Sequence, residues 1–120
     1  MLRRVGTVIA YVSDLAKAKA FYRDILGLKV RVDSPGWVEF ETEGATLALH
    51  PGVPPRPPGR IPDGPSLSVG FSVESVKKEH ATLVSRGVDF ERSPTPIAQG
   101  VWVANFRDPD GNELAISGPA

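Results

Sequence analysis

The chain has no cysteine. That excludes disulfides, thiolate metal sites and a cysteine nucleophile. Histidine is scarce, with only His50 and His80. Neither sign of charge is in excess, because fourteen basic side chains balance fourteen acidic ones. Such a chain has no net field to draw in nucleic acid or anionic lipid, so neither is expected as a partner. No apolar run approaches the ~18 residues that a membrane span needs. The apolar stretch within Met1–Val12 is short and interrupted by Thr7, and no small-residue cleavage site follows it. It is expected to be a strand rather than a signal peptide, with a cytoplasmic location. The 120 residues are 41% hydrophobic and 23% charged, as in one soluble globular domain.

Two patterns recur along the chain. Val5–Val12 is β-branched and aromatic, and predicts a strand. Ser13 and Asp14 can cap a helix that carries Leu15, Ala18, Tyr22, Ile25 and Leu26 at helical spacing and ends at Gly27. Leu28–Asp33, Trp37–Thr42 and Thr46–His50 then predict three strands, with turns at Ser34-Pro35-Gly36 and Gly44. After a proline-rich stretch the order restarts with a strand over Leu67–Val73. A helix capped by Ser75 and closed by Gly87 follows, then strands over Val88–Glu91, Val101–Phe106 and Glu113–Ser117. The fold class is therefore α+β. Two βαβββ modules, residues 1–50 and 66–120, form a curved, cupped mixed sheet with the helices outside. Pro51–Pro65 between them holds seven prolines and three glycines, a composition that excludes a helix or a central strand. This linker is a plain crossover or a lid.

Side chains alternate across a strand. Val8, Ala10 and Val12, Val69, Phe71 and Val73, Leu47 and Leu49, and Leu114 and Ile116 form uniformly apolar sets that belong under the helices. The opposite parity leaves Thr7, Ile9, Tyr11, Thr46, Ala48 and His50 on the open face of one module. In the other module it leaves Ser68, Gly70, Ser72, Glu113, Ala115 and Ser117. The candidate ligand-binding residues are Thr7, Tyr11, Trp37, His50, Ser68, Trp102 and Asn105. Trp37 and Trp102 supply large flat surfaces for a planar ligand, or fill the core. His50 is a ligand-contacting imidazole or a solvated strand-end residue. His80 falls on the apolar stripe of the second helix, where a packed or boundary histidine is expected rather than a functional one. Asn105 and Phe106 must point to opposite faces, and the pattern leaves open which one meets the cup.

Val12–Val30 ("VSDLAKAKAFYRDILGLKV"), Gly87–Phe90 ("GVDF") and Phe106–Ile116 ("FRDPDGNELAI"), with the βαβββ repeat, resemble the vicinal oxygen chelate superfamily. That superfamily includes glyoxalase I, extradiol dioxygenases and bleomycin-resistance proteins. The resemblance implies a homodimer whose cups are built from both chains. In metal-dependent members, four ligands occupy positions that correspond here to Thr7, Ala48, Ser68 and Ala115. None of these is a carboxylate, an amide or an imidazole, so no metal and no other cofactor is expected. The resemblance then implies a metal-independent protein of the bleomycin-resistance type, which sequesters a hydrophobic or planar small molecule and catalyses no reaction. The alternative is a metal-dependent lyase, isomerase or dioxygenase with displaced ligands, His50 converging with Glu39, Glu41 or Glu113.

Overall fold

A computed structural model describes residues 3, 5–52 and 68–120. The chain divides into two compact units, Met1–Pro57 and Pro58–Ala120. In the first unit β1 (Thr7–Val12) leads to α1 (Leu15–Ala20), and β2 (Lys29–Ser34), β3 (Trp37–Glu41) and β4 (Thr46–Pro51) follow. In the second, β5 (Ser68–Ser72) leads to α2 (Val76–Ser85), and β6 (Phe90–Ala98), β7 (Val101–Arg107) and β8 (Glu113–Gly118) follow. The sheets have the same topology, β1-β4-β3-β2 and β5-β8-β7-β6. In each, the first strand lies parallel to the last and the other pairs are antiparallel. The α+β fold and the two βαβββ modules are both present. Beyond Gly52, the expected linker lies outside the described residues, as does Leu67. Pro51 itself closes β4, in register with Val12.

Local chemistry sets the element boundaries. The Asp14 carboxylate accepts the Lys17 amide at 3.0 Å, and the Ser75 hydroxyl accepts the Lys78 amide at 3.3 Å, so both helices start on side-chain caps. Gly27 (φ 77°) and Gly87 (φ 92°) end them in the left-handed conformation that glycine tolerates best. The sequence predicts one uninterrupted first helix. Instead α1 passes into a π-helical turn over Phe21–Ile25, closed by the Leu26 amide donating to the Phe21 carbonyl at 3.1 Å. Within that turn Tyr22 is fully buried and stacks on Phe40, with ring centroids 5.6 Å apart.

The apolar parity of the strands holds in both sheets. Ala10, Val12, Val38, Phe40, Leu47 and Leu49 are buried in the first unit, and Ala104, Phe106, Leu114 and Ile116 in the second. Val69 and Phe71 are only half-buried, unlike Ala10 and Val12 in the matching strand of the first unit. Leu15 and Leu26 are half-buried as well, whereas Leu83 of α2 is buried. β6 extends well past the expected Val88–Glu91 and runs through Pro94 and Pro96. It can do so because it is an edge strand, where a missing N–H breaks no inner ladder.

The Asp108-Pro109-Asp110-Gly111-Asn112 turn is stapled by one carboxylate. Asp108 Oδ1 accepts the amides of Asp110 and Asn112, both at 2.9 Å, and Oδ2 accepts Asn112 Nδ2 at 2.8 Å. Arg107 Nη1 donates to the Gly111 carbonyl at 2.9 Å. This motif therefore aims β8 and its open-face residues.

Candidate functional site

The face of the first sheet opposite α1 carries the chemistry. Because Val38 and Phe40 are buried, Trp37 and Glu39 project to the other side of β3. Thr46, Ala48 and His50 share that side of β4, and register sets Thr7 beside Thr46, Ile9 beside Ala48 and Tyr11 beside His50. The His50 ring lies 5.7 Å from Tyr11 and 6.1 Å from Trp37 between centroids, the latter edge-on. Tyr11 is 49% exposed. The three rings thus form an accessible aromatic cluster on an open sheet face. His50 Nδ1 meets the Pro51 carbonyl.

A polar chain adjoins the cluster. Trp37 Nε1 donates to Glu39 Oε1 at 2.9 Å. Arg31 donates to Glu39 Oε2 through Nε at 3.2 Å and Nη2 at 2.9 Å, and Nη2 also reaches Thr46 Oγ1 at 3.0 Å. The indole N–H first, and then the guanidinium, hold the Glu39 carboxyl below its ordinary range, so it is an anion at neutral pH.

Sequence alternation did not reveal Arg31. It would put Lys29, Arg31 and Asp33 on one face, but the β2–β3 ladder slips between Val30 and Val32. Val30 pairs with Phe40 and Val32 with Glu39, so Arg31 is the extra residue of a bulge. Asp33 consequently lies on the helix side, 3.1 Å from Lys19 Nζ, while Arg31 reaches the open face.

The second unit's open face is made of smaller groups. Ser72 faces Ser117 where the first unit has Tyr11 facing His50, and Gly70 faces Ala115 where the first unit has Ile9 facing Ala48. A Cβ built on Gly70 would meet nothing within 4 Å. Ser68 lies beside Glu113. Asn105 is on this face, since Phe106 is buried, and its Nδ2 donates to Glu113 Oε1 at 3.3 Å.

Trp102 is a correction. It shares the parity of Ala104 and Phe106, and Lys77 of α2 sits 4.5 Å from its ring centroid. It therefore packs on the helix side and not on the open face. His80 is half-buried as expected, edge-on to Phe90 at 4.5 Å.

Within each unit the positions matched to metal ligands do share one face, Thr7 with Ala48 and Ser68 with Ala115. The groups present are hydroxyls and methyls, which do not fit a divalent cation. Among the described residues, no three His, Cys, Asp or Glu side chains are grouped to hold one. Glu39 is engaged by Trp37 and Arg31, and Glu41 lies 3.5 Å from Lys29 Nζ.

Comparison with known proteins bears on the same geometry. The chain is 29% identical to the uncharacterized protein YetH of Bacillus subtilis strain 168, over 97% of this chain and 98% of that one. Among solved structures it is similar to TnmS3, an antibiotic binding protein from Streptomyces sp. CB03234. The TM-score is 0.78 and the identity 28%, over 99% of this chain and 98% of that one. It shares its fold with a lactoylglutathione lyase from Agrobacterium tumefaciens, with a TM-score of 0.74 and 22% identity, over 94% and 91% of the two chains. The profile of the Glyoxalase/Bleomycin resistance protein/Dioxygenase superfamily matches residues 4–116, and the chain belongs to that superfamily.

Proposed function

We propose that this protein binds a planar or hydrophobic small molecule without metal and without making or breaking a bond. The observation that carries this reading is the accessible Tyr11–His50–Trp37 ring cluster on the open sheet face. Flat rings bind by burying area and by offset or edge-on contact. Polar groups at the rim then fix orientation. Thr7 supplies a further hydrogen-bonding group on the same face; Ser68 and Asn105 offer such groups on the second unit's own face. The protein would act in the cytoplasm by sequestration, lowering the free concentration of its ligand by mass action. Similarity to an antibiotic binding protein supports the ligand class. The hydroxyl and methyl groups at the four metal positions support metal independence.

The chain is also proposed to work as a homodimer. Ile9, Tyr11, Val32, Ile97 and Val101 are large and exposed, and a second copy would cover such surface.

The test is a panel of fused-ring aromatic probes, with binding followed by quenching of tryptophan fluorescence. Trp37→Ala should weaken binding about tenfold, the equivalent of roughly 1.4 kcal/mol, and prior treatment with a chelator should change nothing. Probes that bind equally well to wild type and Trp37→Ala would remove the site from this face.

A further inference from the structure

We propose that Arg31 makes the first unit's open face selective for planar molecules that carry an anionic oxygen, such as a carboxylate or a phenolate. This rests on the reading of that face as a small-molecule site, and it names the chemistry of the ligand's polar end.

The hydrogen bonds on the face leave a donor over. Both Glu39 oxygens are engaged, Oε1 by Trp37 and Oε2 by Arg31. Arg31 uses Nε and Nη2 on Glu39 and Thr46, and among the described residues its Nη1 has no partner. The Arg31 side chain is 44% exposed, against 23% for Glu39. A guanidinium does not shed its proton in the accessible pH range, so those two N–H groups remain donors. Glu39 fixes the plane of the fork, which reduces the ordering that a ligand must impose on it. Thr46 accepts from Arg31, so its own hydroxyl hydrogen is also a donor.

Distances along β4 give the ligand a length. Arg31 is tied to Thr46, and the ring cluster surrounds His50, four residues further on. At ~3.3 Å per residue the backbones of Thr46 and His50 are about 13 Å apart along the strand, while the Trp37 indole of the cluster already reaches the Glu39 carboxylate that Arg31 holds. Between them Ala48 is fully buried, with Ile9 and Glu39 as its cross-strand neighbours. Two or three fused rings extending from His50 toward Thr46 would bring an acidic substituent to Arg31. The charges facing this region are Arg31 and Glu39, with the Lys29–Glu41 pair beyond them. Their formal sum is zero, so selectivity has to arise from the directed Nη1 donors rather than from a net field.

The experiment measures dissociation constants for anthracene-2-carboxylate, anthracene-2-carboxamide and 2-(aminomethyl)anthracene at one fixed salt concentration, on wild type, Arg31→Gln and Arg31→Gln/Glu39→Gln. The carboxylate should bind wild type about tenfold more tightly than the amine, as a charge-assisted hydrogen bond allows. Both variants should lose that preference. The double variant is decisive because it restores the wild-type formal charge while removing the directed donor. A preference that survives in the double variant would overturn the proposal, as would its absence in wild type. If the three probes bind wild type equally and Trp37→Ala weakens all of them, the small-molecule site stands and the Arg31 assignment falls. If no probe binds, both fall. Circular dichroism and denaturation midpoints on each variant check that it is folded.

Discussion

Glu39 is a carboxylate held between an indole and a guanidinium, and its titration has a definite sign. Its folded pKa lies below the ordinary value, chiefly because Trp37 donates to it and then because Arg31 does. Between the folded and unfolded values the unfolded chain binds more protons, so stability rises with pH there. The contribution is complete above the ordinary carboxylate range and disappears as pH falls through the folded value. Denaturation midpoints of wild type and Glu39→Gln should therefore differ by a constant amount near neutrality and converge in acid. A difference that ignores pH would mean that the Arg31 contact adds nothing beyond a neutral hydrogen bond. Asp108 is a carboxylate of another kind, 5% exposed and bonded to the turn that contains it. Asp108→Ala strands the amides of Asp110 and Asn112, at a cost of about 1–3 kcal/mol. Chemical denaturation showing a loss below about 0.5 kcal/mol, the range of ordinary surface changes, would contradict the staple.

At the level of elements, the end of β8 depends on a residue without a side chain. Gly118 has φ 149°, and a Cβ there would come 2.2 Å from the Val73 carbonyl oxygen. The Val73 amide donates to the Ser117 carbonyl at 2.9 Å, and the Val76 amide to that of Pro119 at 2.9 Å, so this segment secures the start of α2. Gly118→Ala should destabilise by about 1–3 kcal/mol through strain and overpacking. Hydrogen exchange should show faster opening at the first turn of α2, and an unchanged rate there would show that the segment yields freely. The same scale explains the misplacement of Trp102. Trp37 and Trp102 occupy comparable middle strands, but they have opposite parity relative to the buried residues beside them. The alternation Trp102-Ala104-Phe106 is visible in the sequence and is the signal that identifies the helix side.

For the whole molecule, two units of one topology carry unlike open faces. Rings gather in the first, while serines and a glycine occupy the positions of Tyr11, His50 and Ile9 in the second, where Glu113 is the charged group. On the proposed reading, recognition of a flat ligand would fall to the first unit. Among the described residues, no helix is long and apolar enough to cross a membrane. Exposed apolar groups and open sheet edges in both units favour pairing with a second copy. Light scattering at micromolar concentration should give twice the 12.9 kDa of one chain. A stable dimer should bury on the order of 2,000 Å² or more in total. A monomer that binds the aromatic probes with full affinity would separate binding from assembly.

Local signals in the sequence determined the element types, the module repeat, both helix caps, the Asp108 turn, and the hydroxyls and methyls at the family's metal positions. Each depends on residues a few positions apart, or on one residue's own chemistry. Alternation also identified the ring pair Tyr11 and His50 and most of the buried faces, because parity holds wherever a strand runs unbroken. The tertiary structure alone decided what depends on pairing between distant residues. The bulge opposite Glu39 turned Asp33 to the helix side while Arg31 stayed on the open face, and Val69 and Phe71 were left only half-covered. A one-residue slip reverses every side chain beyond it, and whether a ladder slips is set by the partner strand rather than by the strand itself.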